Sequence, residues 1–514
     1  MPRVVFGADG IRGLVNRWPF ELSAMFQVGQ ALGTYVCRRS PHPVVVVGRD
    51  TRPSGSELMP CLIAGLFSQG VDVINLGIVT TPGVAFLALR QQADLGIALT
   101  ASHNSLHYNG IKLLGPHGLR LQREEELEIE DLIEEFSAKA HEHVPTPGKQ
   151  THGTNLKEFY IADHVRWCPA PSLEDLRVIL DCGDGAVSPI GPEVFRRLGA
   201  QLCVVNSALD SRNIMYHSGS EHVRQNPRDL VSVMEAHGAD YGFAFDGDGD
   251  RLVVVDRDGR VYDGNELLYV LACYFQDAGK LKGDTMVTIY HANQGLEEAL
   301  CERGIRTEYT RNGDKFLEAA MWAGGYMLGG EPGGNIIIND GHHTAADAIY
   351  AAVVLGGILV LNQDKTLEEL ARPLVRHPQI TTALKVEGNV TLSQRRDIEA
   401  RIQEWEDALN GDGRILFWPS STQPGVFRLL VEGSRGSRLE SVQAAHAEIC
   451  RFIAGAVVVT EWEHEICPPD RRRPGAEAGL GLSLIHISEP TRLLSISYAV
   501  FCLQKKTVYT QQKT

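Results

Sequence analysis

Short apolar runs alternate along most of the chain with longer stretches in which apolar residues return every third or fourth position. PVVVVGRD (43–50), VDVINLG (71–77) and LGIALT (95–100) have the apolar, β-branched content of buried strands, and SELMPCLIAGLFSQG has the spacing of an amphipathic helix. A second series begins near Leu176 with RVILDCGDGA and passes through AQLCVVN to an aspartate-rich segment; a third runs through DTMVTIY (284–290) and GGYMLGGEPGG. Strands alternating with helices predict α/β layers. From about Gln379 the pattern changes to ITTALKVEG, an acidic helix near 395–409, RILFW, VFRLLVEG and a helix through Ser441 to Ile453, which predicts a small α+β domain.

Length and composition fit that picture. At 514 residues the chain exceeds one ordinary core, so several domains are expected. A hydrophobic content of 43% with 22% charged residues is that of a globular protein. No apolar stretch has transmembrane length and no signal peptide precedes the early strand RVVFG. The ten cysteines form no CxxC pairs, and Cys182 and Cys203 sit in strand-like runs, so they read as reduced core residues of a cytoplasmic protein. The formal net charge of −15 argues against nucleic acid or anionic membrane as a partner. It leaves room for an anionic small molecule, because local arginines override the global sign.

Two segments carry candidate chemistry. In GIALTASHNSLHYNGIK (96–112) an apolar run releases Thr100-Ala101-Ser102-His103-Asn104, and a turn is expected at Asn109-Gly110 before Lys112. A serine hydroxyl at the end of a buried strand, beside an imidazole and with a lysine close in the chain, is how serine becomes a phosphoryl carrier. A Ser-His-Asn turn with only local hydrogen bonds is the alternative. In YGFAFDGDGDRLVVVD, Asp246, Asp248 and Asp250 alternate with glycines between two apolar runs. Carboxylates at every second position on a backbone free to curl converge on a hard cation, for which Mg²⁺ is the natural occupant. A helix-loop-helix calcium site needs glutamate at its twelfth position, where Arg257 stands, and the flanks read as strands. A solvated acidic tip would leave close like charges uncompensated.

TASHN with the downstream NGIK, together with DGDGDR, resembles the α-D-phosphohexomutases, which interconvert 1-phospho and 6-phospho sugars. FGADGIRG (Phe6 to Gly13) is similar to the FGTDGIRG opening of that family's phosphoglucosamine mutase branch. The resemblance implies three similar α/β mixed-sheet domains plus a smaller C-terminal α+β domain around a central cleft, although no internal repeat is visible in the residues. Its boundaries would be 1–155 for the phosphoserine domain, 156–258 for the metal loop, 259–375 for the sugar-recognition loop, and 376–456 for the phosphate-binding loop; 457–514 is unassigned. It implies Ser102 as phosphoryl carrier and, with Asp246, Asp248 and Asp250, as ligand of Mg²⁺. Arg12 would lie near the reacting phosphate, Lys112 would be the general acid/base with His103 as neighbour, and Arg251 would follow the metal loop.

Glu331 in GEPGGN matches the glutamate of a sugar loop usually written GExSGH, and Trp418 to Pro424, then Arg428, resembles the phosphate loop RxSGTEP followed by arginine. Ser420, Thr422 and Arg428 would hold the nonreacting phosphate. Gly333 replaces the sugar loop's serine, Asn335 its histidine, Trp418 the opening arginine of the phosphate loop and Gln423 its glutamate. Reaction type is therefore better defined than substrate. Glucosamine phosphates are favoured by the opening motif, glucose or mannose phosphates are allowed by the altered sugar loop, and a phosphosugar-binding relative with little turnover is the reading from another class. His342 and His343 read as solvated loop histidines, and oligomeric state is left open. Finally, LSLIHISEPTR (482–492) resembles the conceptual translation of a transposase-adapter end, so residues 482–514 are expected to be an assembly artefact; a genuine C-terminal extension is the alternative.

Overall fold

A computed structural model describes residues 4–7, 9–138, 147–209, 212–387, 390, 392–409, 412–420 and 425–467. Thr422, Gln423 and the tail from residue 468, including 482–514, lie outside them. The chain divides into two compact units. One holds Met1–Ala292 with Leu296–Leu374, and the other holds Asn293–Gly295 with the chain from Val375 onward.

The first sheet contains β1 (Ile11–Leu14), β2 (Val44–Arg49), β3 (Asp72–Ile78), β4 (Leu95–Leu99), β5 (Tyr108–Leu114) and β6 (Gln150–His152), in the order β1-β5-β4-β2-β3-β6. The second contains β7 (Arg177–Asp181), β8 (Gln201–Val205), β9 (Tyr241–Phe245), β10 (Leu252–Asp256) and β11 (Val261–Tyr262), in the order β11-β10-β9-β7-β8. The third contains β12 (Thr285–Ile289), β13 (Arg306–Thr310), β14 (Leu328–Gly330) and β15 (Ile336–Ile338), in the order β13-β12-β14-β15.

All three sheets share one pattern. A central strand (β2, β7, β12) lies parallel to the next strand and to the one after it, and that third strand turns back into an antiparallel partner. The internal repeat that the residues do not display is thus present in the pairing. Strands flanked by helices on both faces must be apolar along their whole length, and β4 and β10 are buried at every residue. One apolar core runs through the three layers and includes Val46, Leu180, Phe243, Ile336 and the helix Ala348–Leu361. That helix shows no polar stripe because its residues from Ala348 to Leu359 are buried, and at 14 residues it is a core helix. Among the described residues no helix is long and apolar enough to cross a membrane.

The second unit is a four-stranded antiparallel sheet of β16 (Gln379–Val386), β17 (Gly413–Pro419), β18 (Val426–Gly433) and β19 (Val459–Cys467), in the order β17-β18-β16-β19, with the helices Leu392–Leu409 and Leu439–Ala456. Two expectations are corrected. β19 pairs with β16 from Gln379 to Val386, so this sheet continues past residue 456. The missed strand carries alternating polar residues, TEWEHE, as a strand with one exposed face does. Asn109 and Gly110 form no turn. They lie inside β5, where Gly13 pairs with Asn109 and Arg12 with Gly110. A Cβ at Gly110 would come within 2.4 Å of the Thr100 carbonyl oxygen, so glycine is required for close strand approach rather than for reversal.

Candidate active site

The repeat aligns the candidate chemistry. Ser102 lies between β4 and β5, the aspartate triad between β9 and β10, and Glu331 to Asn335 between β14 and β15. These are equivalent positions, the loop of each sheet's antiparallel hairpin, and the first unit packs them together.

Ser102 is buried and has a φ of 51°, the left-handed region that a residue with a Cβ rarely occupies. Contacts on every side hold it there. Its N–H donates to Thr100 Oγ1 at 2.9 Å, and its carbonyl accepts from Arg52 Nη2 at 2.8 Å. Arg52 is fully buried and also donates to the carbonyls of Asn104, Ser105 and Tyr108, while Asp50 fixes its Nε at 3.0 Å. The serine loop is therefore wrapped around a guanidinium. Gly247 meets it from the second sheet, where a Cβ would stand 2.5 Å from the Ser102 carbonyl oxygen.

The Ser102 hydroxyl donates to Asp246 Oδ2 at 2.6 Å and lies 3.1 Å from His103 Nδ1. Asp246 Oδ1 accepts the backbone N–H groups of Gly249, Asp250 and Arg251 at 3.0–3.2 Å, which fixes the curl of the loop. Asp248 Oδ2 accepts from Thr81 Oγ1 at 2.5 Å and from Lys112 Nζ at 2.7 Å, and Lys112 also donates to Asp250 Oδ2 at 2.7 Å. Two of the three buried carboxylates thus share one ammonium, and one oxygen from each of the three lies within 4.8 Å of the others. Burial and the charges of Asp250 and Asp248 hold the Asp246 carboxyl well above its usual range. Burial opposes the charge on Lys112, yet Asp248 and Asp250 outweigh it and hold the lysine as a cation. Among the described residues Asp248 Oδ1 and Asp250 Oδ1 have no hydrogen-bond partner. Three close carboxylates with unpartnered oxygens fit a hard divalent cation.

Cationic and neutral groups surround the pair. Arg12 donates to Asp9 at 2.7 Å and reaches Asn104 at 3.4 Å on the serine loop. Arg251 pairs with Glu221 at 2.7 Å, and its Nε lies 4.0 Å from Asp250 Oδ1. The charge of Arg251, with burial, pushes His103 down to about 3, so the imidazole is neutral at physiological pH. Glu331 accepts the Gly313 N–H at 3.1 Å; burial and then Asp314 raise its carboxyl to about 8. Asn335 bridges to Arg251 through the backbone, and its buried Oδ1 is unpartnered among the described residues. Beside it, a Cβ on Gly333 would meet nothing closer than 3.7 Å.

Sequence reasoning missed Arg52, Glu221 and Thr81. A signal for Arg52 existed, since Arg49-Asp50-Thr51-Arg52 sets charge at the carboxyl end of a buried strand, where α/β sheets place ligands. His342 is exposed as expected, but His343 is buried, bonded to Asp163 and Asp347 rather than solvated. It belongs to the interior because the apolar helix Ala348–Leu361 starts beside it.

In the second unit, Trp418 pairs directly with Arg428 across β17 and β18, so both side chains project from one face of that sheet. The Ser420 N–H donates to the Val426 carbonyl at 2.7 Å and closes the base of the intervening loop.

Residues 3–140, 159–259 and 263–377 match, in turn, the phosphoglucomutase/phosphomannomutase alpha/beta/alpha domains I, II and III. The phosphoglucosamine mutase of Limosilactobacillus reuteri is 37% identical over 436 residues, covering 84% of this chain and 94% of the relative. That of Clostridioides difficile is 36% identical over 447 residues, covering 86% and 97%. Among solved structures, a phosphoglucomutase/phosphomannomutase family protein from Burkholderia thailandensis has the same fold, with a TM-score of 0.74 at 24% identity over 88% of this chain and 98% of that one.

Proposed function

Because the chain belongs to the phosphoglucomutase/phosphomannomutase family of α-D-phosphohexomutases and is a phosphosugar mutase, we propose that it converts glucosamine 6-phosphate to glucosamine 1-phosphate through phosphorylated Ser102 and a bisphosphate intermediate. The observation that carries this reading is the 2.6 Å contact between the Ser102 hydroxyl and Asp246, at the meeting point of two equivalent hairpin loops. The glucosamine assignment rests on the full-length relatives and the FGADGIRG opening.

Asp246, Asp248 and Asp250, together with phosphorylated Ser102, would hold Mg²⁺. When bound, the ion offsets the charge that develops on the transferred phosphoryl group. Ser102 is the carrier, presented by a backbone that Arg52 and Gly247 keep in an otherwise unfavourable conformation. Lys112, held protonated, is the acid that returns a proton to the serine oxygen as it gives up its phosphoryl group, and the proton lost by the attacking sugar hydroxyl restores it; the serine hydroxyl so formed donates to Asp246, while neutral His103 donates to its oxygen from Nδ1 and orients it. Arg12 and Arg251, whose Nε groups make no hydrogen bond among the described residues, bind the oxygens of the reacting phosphate.

Glu331, Gly333 and Asn335 form the sugar-recognition loop, with Glu331 accepting from ring hydroxyls or the amine. Ser420, Thr422 and Arg428 hold the nonreacting phosphate. The bisphosphate turns over between the two steps, so one phosphoserine serves both ends of the sugar.

Turnover of glucosamine 6-phosphate, glucose 6-phosphate and mannose 6-phosphate, each with a catalytic amount of the bisphosphate and Mg²⁺, tests the proposal. It requires the highest kcat/KM with glucosamine 6-phosphate. A preference for either hexose phosphate overturns the substrate assignment, and binding without turnover of any of the three makes the chain a phosphosugar-binding relative.

A further inference from the structure

Away from the carboxylate triad, two histidines and an aspartate converge where the helix Lys157–Arg166 meets the start of the helix Ala348–Leu361. His164, His343 and Asp347 are all buried. His164 Nδ1 lies 2.6 Å from the Tyr160 carbonyl oxygen, and His343 Nε2 lies 3.0 Å from Asp163 Oδ2. A carbonyl oxygen and an ionised carboxylate only accept, so these two outer nitrogens carry the protons. The inner nitrogens, His164 Nε2 and His343 Nδ1, both turn to Asp347 Oδ2, at 3.2 and 3.3 Å, and His164 Nε2 also lies 3.4 Å from Asp347 Oδ1.

Those two separations are informative. A hydrogen bond between imidazolium and carboxylate is normally about 2.7–2.9 Å long. The outer contacts are of hydrogen-bond length, while the inner ones are stretched in both histidines. Two ligand atoms sharing a tetrahedral ion at about 2.0 Å stand about 3.3 Å apart. The outer contacts also follow the arrangement by which a second acceptor fixes the tautomer of a metal-bound histidine and aims its free lone pair inward.

We propose that His164 Nε2, His343 Nδ1 and Asp347 Oδ2 form a structural zinc site, separate from the triad that serves catalysis. Two imidazoles and one carboxylate suit zinc, whereas the all-oxygen triad suits a hard cation. The Tyr160 hydroxyl donates to Asp347 Oδ2 at 2.6 Å and accepts from Thr80 Oγ1 at 3.2 Å. Charge balances on binding. Without the ion, each inner nitrogen must carry a second proton to bond Asp347; with it, two protons leave as one divalent cation arrives. The ion would join the helix Lys157–Arg166 to the segment 343–347. Through Tyr160 it would also steady the Thr80-Thr81 corner, from which Thr81 holds Asp248.

The test uses the full chain, stripped with a chelator, loaded with Co²⁺ or Zn²⁺ and dialysed against excess Mg²⁺ so that the triad is filled. The proposal requires one tightly held ion per chain and, for Co²⁺, the intense visible absorption of a tetrahedral nitrogen-ligated centre. His164→Gln and His343→Gln should each lose both signals, while Asp248→Asn and the exposed neighbour variant His342→Gln keep them. The wild-type measurement stands even where a histidine variant does not fold. Absence of the visible band and of retained zinc in the wild type overturns the proposal and leaves two imidazolium ions clamping a carboxylate. Loss of the ion in Asp248→Asn also overturns it, by placing the metal at the triad.

Discussion

At the scale of single residues, the site depends on groups whose charge is dictated by their neighbours. Lys112 looks like an ordinary base in sequence, but two buried aspartates 2.7 Å away keep it protonated. Arg52 looks like a surface arginine after a strand, yet it gathers four carbonyls of the serine loop. Arg52→Lys should therefore lower stability by about 2 kcal/mol or more, because an ammonium cannot satisfy that planar fan of acceptors. kcat should fall with it, while Arg17→Lys, at an exposed arginine, changes neither; urea melts and initial rates check both.

Trp418 tests the recognition loops. It stands beside Arg428 on one sheet face, so Trp418→Arg should add a second guanidinium there and lower KM by roughly ten- to a hundredfold, the worth of one charge-assisted phosphate contact. An unchanged KM would mean that Arg428 and the loop backbone already hold the phosphate.

At the scale of elements, the β4–β5 and β9–β10 loops behave as one device, because glycine at 247 lets the Ser102 carbonyl approach the triad. Gly247→Ala places a methyl 2.5 Å from that oxygen, and backbone cannot yield as a side-chain tip can. It should separate Ser102 from Asp246 and reduce kcat by roughly a hundredfold, as misplacement near 1 Å does, with metal affinity much less affected. Rates and metal titration separate the two effects. The strands carrying these loops were legible in the sequence because buried parallel strands are continuously apolar, and the motifs were legible because hydroxyl, imidazole and carboxylates cluster within a few positions. Asn109-Gly110 misled because the same pair serves tight turns and close strand contact, and only the partner strand decides. β19 was missed because its polar alternation looks like linker when its partner, some eighty residues earlier in the chain, is unseen.

At the scale of the whole molecule, three sheets with one pairing pattern present three equivalent loops, and that repeat was illegible because it resides in which strands pair rather than in which residues pair them. The second unit has its own pH signature. His446, hydrogen-bonded to Thr382 at 2.6 Å, is pushed down to about 3 by burial and then by His464. A depressed imidazole stabilises the fold above the unfolded value near 6.5, and that stability is lost as pH falls toward 3 because the unfolded chain takes up the proton first. The slope for one such group is roughly 1.4 kcal/mol per pH unit. Denaturant midpoints followed from pH 7 to pH 4 should fall accordingly, and His446→Gln should flatten that limb.

Whether Ser102 carries the phosphoryl group is decided by incubating the Mg²⁺-loaded chain with a hexose 1,6-bisphosphate and measuring intact mass, then locating the modification by peptide sequencing. The wild type should gain the mass of one phosphoryl group, confined to Ser102, lost again on adding a hexosamine or hexose 6-phosphate and absent in Ser102→Ala. A phosphoryl group on any other residue, or a Ser102→Ala variant that turns over substrate at near the wild-type rate, would contradict Ser102 as the carrier.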